Sequence, residues 1–237
     1  MKKTNIDSTA IIYPNAKLGQ GTTVEPFALI GIADRFHDVL PCVIGEKSFL
    51  GSRVTIYAGV ITGDLFDASD QTTIFFDNNF GDNCRVGPKA VVKNGCSFGD
   101  NVRLNSQVFL ERVEIGSNVF IGPGTVFTDD FHPPCPRYSD CAQKTRVQSW
   151  VSIGANVTIA PGVTIGHHTQ IYAGSVVVRD IPPYSVVAGN PAHVVKDFRE
   201  LECASGYFRR PYEWWEDEEG QWWYRPPNEE DWYAYEE

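Results

Sequence analysis

Residues 147–177 read VQSWVSIGANVTIAPGVTIGHHTQIYAGSVV, and their spacing decides the fold. An aliphatic side chain returns at every sixth position: Val147, Ile153, Ile159, Ile165, Ile171 and Val177. A small residue often follows it, as at Gly154, Ala160 and Gly166. A helix repeats near 3.6 residues and a strand near 2, so neither produces this beat. A coil with three flat sides does. Six residues per side aim every aliphatic into one prism-shaped interior, and a full turn takes about 18 residues.

The same beat runs outward through most of the chain. Ile6, Ile12, Leu18, Val24 and Ile30 keep it, and an interruption over 31–43 precedes Ile44, Leu50 and Ile56. A polar break over 63–73, carrying Asp64, Asp67 and Asp70, comes before Ile74, Phe80, Val86, Val92, Phe98, Leu104 and Leu110. One residue is then dropped, and Ile115, Ile121 and Phe127 continue until a long break over 128–146. The period survives each break, so the three are expected to be loops thrown from corners of a rigid stack, where function tends to reside. The sides are rich in Val, Ile, Thr and Phe, which suit a pleated, half-buried surface. Corners such as Ala160-Pro161-Gly162 are made of turn formers. A lone turn cannot bury its faces, so the stack folds as a unit.

Pro182 and Pro183 stop the repeat. A weakly helical stretch over 196–203 is expected to cap the open end. Beyond it lies an acidic tail, in which Trp214-Trp215 and Trp222-Trp223-Tyr224 flank Gly220 like two aromatic strands around a turn. The expected organisation is a β-helix domain over 1–192 and a C-terminal helix with an aromatic tail over 193–237. A net charge of −10 argues against nucleic acid and anionic membrane as main partners. No run reaches a membrane span, and the basic start MKKTNIDSTA has no apolar segment of a secretory signal. With six scattered cysteines, reduced thiols and a cytoplasmic location are expected.

The beat, together with VFIGPGTVFTDDFHPP (119–134) and VSIGANVTIAPGVTIG…IYAGSVVVRDIPPYSVVAGNPA (151–192), resembles the hexapeptide-repeat acyltransferases, and among them the nucleotide-sugar N-acetyltransferases. The resemblance covers roughly four fifths of the chain. It implies an all-β fold, a left-handed parallel β-helix, with acetyl-CoA or another acyl-CoA as cosubstrate. It also implies a homotrimer with active sites between neighbouring subunits. The acceptor it implies is a small amine, foremost an amino group of a nucleotide-linked sugar. O-acetylation of a sugar and N-acylation of an amino acid are the alternatives within the enzyme class. A non-catalytic β-helix scaffold is the rival outside it.

Acyl transfer needs a deprotonated acceptor, a reachable thioester and a donor for the oxyanion. His132, in the long break, is the candidate base, with Asp130 to orient its ring. The alternative is a loop histidine holding a carbonyl. Asn105 opens a polar run, Asn105-Ser106-Gln107, on a coil side and is a candidate to hold acceptor or carbonyl. Glu111 is a weaker one. The resemblance assigns the pantetheine arm to Ala160, Ala173 and Gly174, and the nucleotide phosphates of CoA to Arg179, with Lys196 and Arg199 nearby. Corners need small residues in any case. His132, Cys135 and Cys141 could offer three zinc ligands, but the spacing is not a standard one. A zinc-bound His132 could not also be a free base.

Overall fold

The computed structural model describes residues 4–33, 40–206 and 211–212. The chain divides into two units, Met1–Phe198 and Arg199–Glu237. The first is a left-handed β-helix of about ten turns. Its described strands form three sheets of eleven, nine and eight strands, called here faces A, B and C in the order the chain visits them. Pairing within a face is parallel and one turn apart, except between the last two strands of face A, which are antiparallel. Asn5 lies beside Thr23 on face A, Thr73 beside Val91 on face B, and Asn79 beside Ser97 on face C. That is the turn length required by a six-residue side.

Each strand is only two or three residues long over most of the array, and its second-period residue points inward. The inward residues stack into columns, such as Val86, Leu104, Ile121, Ile153 and Ile171 on face A. On face B, Ile56, Ile74, Val92 and Leu110 do the same. All are buried. Where the prism has room, rings fill it. Phe66 and Phe127 are fully buried, and Phe80 stacks on Phe98 with centroids 4.4 Å apart. Each such ring contributes about 1.5–3 kcal/mol by burial.

The corners require left-handed backbone and close contact between turns. Asn83, Asn101 and Asn118 hold φ of 54°, 57° and 60°, which asparagine tolerates better than most residues. Their amides form a ladder at the corner between faces C and A, Asn83 Nδ2 donating to Asn101 at 2.8 Å and Asn101 Nδ2 to Asn118 at 3.1 Å. A second ladder lies beside it. Asp64, Asp82 and Asp100 each accept, at 2.7–2.8 Å, the backbone N–H one turn before them, those of Glu46, Asp64 and Asp82. Glycine is obligatory at one contact: a Cβ on Gly45 would sit 2.0 Å from the Gly63 carbonyl oxygen.

Three sequence expectations change. Residues 63–73 are no loop but a regular turn, with a face A strand at Asp67–Ala68 and Phe66 and Ala68 buried. Thr62 and Ala68 take the inward positions, so the beat continues through side chains too polar or too small to register as aliphatic. Asp64 and Asp70 are corner acceptors, and Asp67 pairs with Arg85 at 2.8 Å. Second, 196–203 is not a helix. Ala192–Asp197 is a strand antiparallel to Ser185–Gly189, followed by a single 3-10 turn at Phe198–Glu200. The first unit therefore runs past 192. Third, the excursions are shorter than 31–43 and 128–146, since Leu29–Ile32, Cys42–Ile44 and Thr145–Val147 are strands. The expected aromatic strands of the tail lie outside the described residues.

Candidate active site

The corner between faces B and C differs from the other two. From Phe127, the last inward residue of its face B strand, the chain leaves the coil and returns at Thr145. Several contacts hold this excursion down. Thr128 donates from its amide and from Oγ1 to the Ile159 carbonyl, both at 3.1 Å. Asp129 is buried, accepts the Tyr138 hydroxyl through its carboxylate, and accepts the Gln143 amide through its carbonyl at 2.9 Å. Tyr138 opens the short helix Tyr138–Cys141, and the Arg112 guanidinium lies 5.7 Å from the centre of its ring. Burial, and then the bond to Asp129, push the Tyr138 hydroxyl well above its ordinary range. It stays a donor.

His132 stands at the outer end of this anchored base. Its side chain is 69% exposed, while that of Asp130 is 7% exposed. Asp130 Oδ1 accepts the His132 amide at 3.0 Å and lies 3.6 Å from the ring Nδ1. At 3.6 Å the carboxylate stands beside Nδ1 but beyond hydrogen-bond distance, so its bond to His132 is to the backbone amide. Cys135 and Cys141 meet each other instead: a hydrogen bond with Cys135 is the first cause holding the Cys141 thiol above its ordinary value. Among the described residues no three His, Cys, Asp or Glu side chains are placed to hold a metal ion, so the zinc set weighed from spacing does not form.

Glu111 belongs to this corner more firmly than its sequence context indicated. It follows the inward Leu110 of face B, and Lys93 occupies the same place one turn earlier. Burial raises the Glu111 carboxyl above its usual range, and the Asp129 carboxylate adds to the shift, against Lys93 and Arg112. Of the residues assigned to CoA, Ala160 follows the inward Ile159 and Arg179 comes two after Val177, so both lie at this corner. Arg179 is exposed. Gly162 also stands here with φ of 73°, and a Cβ on it would meet Gln143 Oε1 at 2.2 Å.

Asn105, Ala173 and Gly174 are elsewhere. Asn105 follows the inward Leu104, and Ala173 and Gly174 follow Ile171, so they lie at the corner between faces A and B. Within one chain the six-residue span of face B separates them from His132. Sequence reasoning missed Tyr57, Phe75 and Lys93, which share the column of Glu111. The signal was available, because all occupy the position directly after an inward residue.

The sequence profile of one family, described as "Hexapeptide repeat of succinyl-transferase", matches residues 41–64, 80–111 and 151–179. A protein named as an acetyltransferase in Schizosaccharomyces pombe is 30% identical over 175 residues, covering 71% of this chain and 78% of that one. The 2,3,4,5-tetrahydropyridine-2,6-dicarboxylate N-acetyltransferase of Brevibacillus brevis is 44% identical over 80 residues, 34% of this chain and 31% of its own length. The crystal structure of a Francisella novicida UDP-N-acetylglucosamine acyltransferase matches with a TM-score of 0.62 at 21% identity, over 81% of this chain and 70% of that one. That likeness is one of fold.

Proposed function

The chain belongs to the hexapeptide-repeat acyltransferases, and from that premise we propose that it transfers an acyl group, in the first instance acetyl, from acyl-CoA to the amino group of a nucleotide-linked amino sugar. The observation that carries the reading is the His132–Asp130 pair, on an anchored loop at the same corner as Ala160 and Arg179. In this reading Nε2 of His132 takes the acceptor proton while Asp130 stands beside Nδ1. The amine nitrogen bonds to the thioester carbon, the C–S bond breaks, and the CoA thiolate receives the proton from His132. A backbone N–H at the corner stabilises the oxyanion.

The split of site residues between two corners supports a homotrimer. The residues directly before the inward position on face B, which are Ile11, Leu29, Thr55, Thr73, Val91, Phe109, Val126, Thr158 and Val176, include no charge. Faces A and C carry Asp67, Arg85, Lys17, Glu114 and Arg146 in the equivalent positions. In a ring of three copies with face B turned to the axis, the Asn105 corner of one copy meets the His132 corner of the next. Asn105, Ala173 and Gly174 then complete a site that one chain leaves open.

Free CoA production, followed with acetyl-CoA and a panel of amino-sugar nucleotides, tests the proposal. Silence across the panel together with no acyl-CoA binding by calorimetry would overturn it in favour of a scaffold. The same pair also suits a second reading, O-acetylation of a sugar, because a hydroxyl needs a base more than a neutral amine does. Acetylation of the hydroxyl sugar but not of its amino analogue would select that reading.

A further inference from the structure

Four residues stand above one another at the corner between faces B and C: Tyr57, Phe75, Lys93 and Glu111. Each directly follows the inward residue of its face B strand, Ile56, Ile74, Val92 and Leu110. The Tyr57 and Phe75 rings stack with centroids 5.0 Å apart and planes within 6°. Phe76 leans on Tyr57 at 4.7 Å and 55°. The Lys93 ammonium caps the next rung, 4.4 Å from the Phe75 centroid. None of these side chains is buried, and Arg112 follows Glu111 directly.

The interior does not need these groups. The prism is closed by the aliphatic columns, and the corner between C and A shows what a purely structural ladder uses, namely short amides and carboxylates bonded rung to rung. Here the rungs instead run ring, ring, ammonium, carboxylate, at about 4.8 Å per turn, or about 14 Å from Tyr57 to Glu111. Lys93 and Arg112 both act on the Glu111 carboxyl, so two positive charges lie within electrostatic reach of that rung.

We propose that this ladder is the acceptor subsite and takes a nucleoside diphosphate-linked amino sugar lengthwise. The base lies against Tyr57 and Phe76, the diphosphate at Lys93 with Arg112, and the sugar amine at Glu111. The order of chemistry along the corner matches the order of groups along such a molecule. Half-exposed rings accept a base of any identity by its π-face, Lys93 and Arg112 meet phosphate with charge-assisted bonds, and a carboxylate holds an ammonium. The amine then rests at the base of the loop that carries His132. The assignment rests on the acyl-transfer reading above and names where its acceptor is held.

Titration calorimetry of the full chain with UDP, dTDP, GDP, CDP and ADP, and separately with CoA, tests it. At least one nucleoside diphosphate is expected to bind. Lys93→Gln should weaken it about tenfold or more, Tyr57→Ser by several-fold, and Lys93→Arg should restore most of the loss. CoA affinity should not change in any variant. Melting curves check folding, and if Tyr57→Ser does not fold, the surface change Lys93→Gln decides alone. Unchanged nucleoside diphosphate binding in Lys93→Gln would overturn the subsite and leave acyl transfer standing. A parallel loss of CoA affinity would reassign the ladder to CoA and overturn it equally. If CoA binds and no nucleoside diphosphate does, both the subsite and the nucleotide-linked acceptor fall.

Discussion

His132 carries the sharpest expectation at the scale of single residues. Its ring is exposed while its neighbour, Asp130, is buried, so His132→Ala removes a proton acceptor without disturbing packing. A drop in kcat of about 10²–10⁴ with CoA affinity kept is expected. Rate constants and calorimetry on the same variant would show it, and an unchanged kcat would return His132 to a structural role. Glu111 makes a different statement. Its folded carboxyl is raised, first by burial and then by Asp129. A rate that needs Glu111 as the carboxylate therefore fails on acidification at a higher pH than an ordinary glutamate would give. The sign for stability is opposite. With the folded value above the unfolded one, stability falls as pH rises from the ordinary carboxylate range through the raised one. Glu111→Gln should lower the rate at neutral pH, remove the Glu111 contribution to the acid limb of the pH–rate profile, and leave the melting temperature at neutral pH equal or higher.

The repeat makes equivalent positions comparable at the scale of the turn, and depth decides the outcome. Phe66 is fully buried where the sequence seemed to break, so Phe66→Ala should cost about 3–5 kcal/mol by denaturant unfolding. Were residues 63–73 a loop, the change would cost nearly nothing. Gly45→Ala drives a Cβ onto the Gly63 carbonyl and should cost about 1–3 kcal/mol or more. The stack can relieve that clash only by parting two turns. The period itself was legible from Val147–Val177. The turn at 63–73 was not, because the period is read from aliphatic side chains while the coil requires only an inward side chain of suitable volume. Thr62 meets that need with its hydroxyl satisfied, accepting from the Gly45 amide at 3.0 Å and donating to the Gly63 carbonyl at 3.1 Å.

The whole molecule is where the split site acquires meaning. If face B is the seam between copies, the protein in solution has three times the 26.4 kDa of one chain. Sedimentation equilibrium or light scattering would measure this. Phe109→Asp, on the outward side of face B, should yield folded monomer and abolish acyl transfer although it touches neither His132 nor Asn105. An active monomer would refute both the seam and the shared site.

The sequence alone determined the coil, its turn length and the long excursion that carries His132. Those depend on which residues recur at which interval, and a six-residue period has essentially one geometrical solution. Tertiary structure decided the rest: Asp64 and Asp70 as corner acceptors, the strand at Ala192–Asp197, and the division of candidate residues between two corners. It also decided that Tyr57, Phe75, Lys93 and Glu111 form one column. Residues a full turn apart meet only when turns stack, and which corner a side chain occupies depends on every insertion and deletion before it.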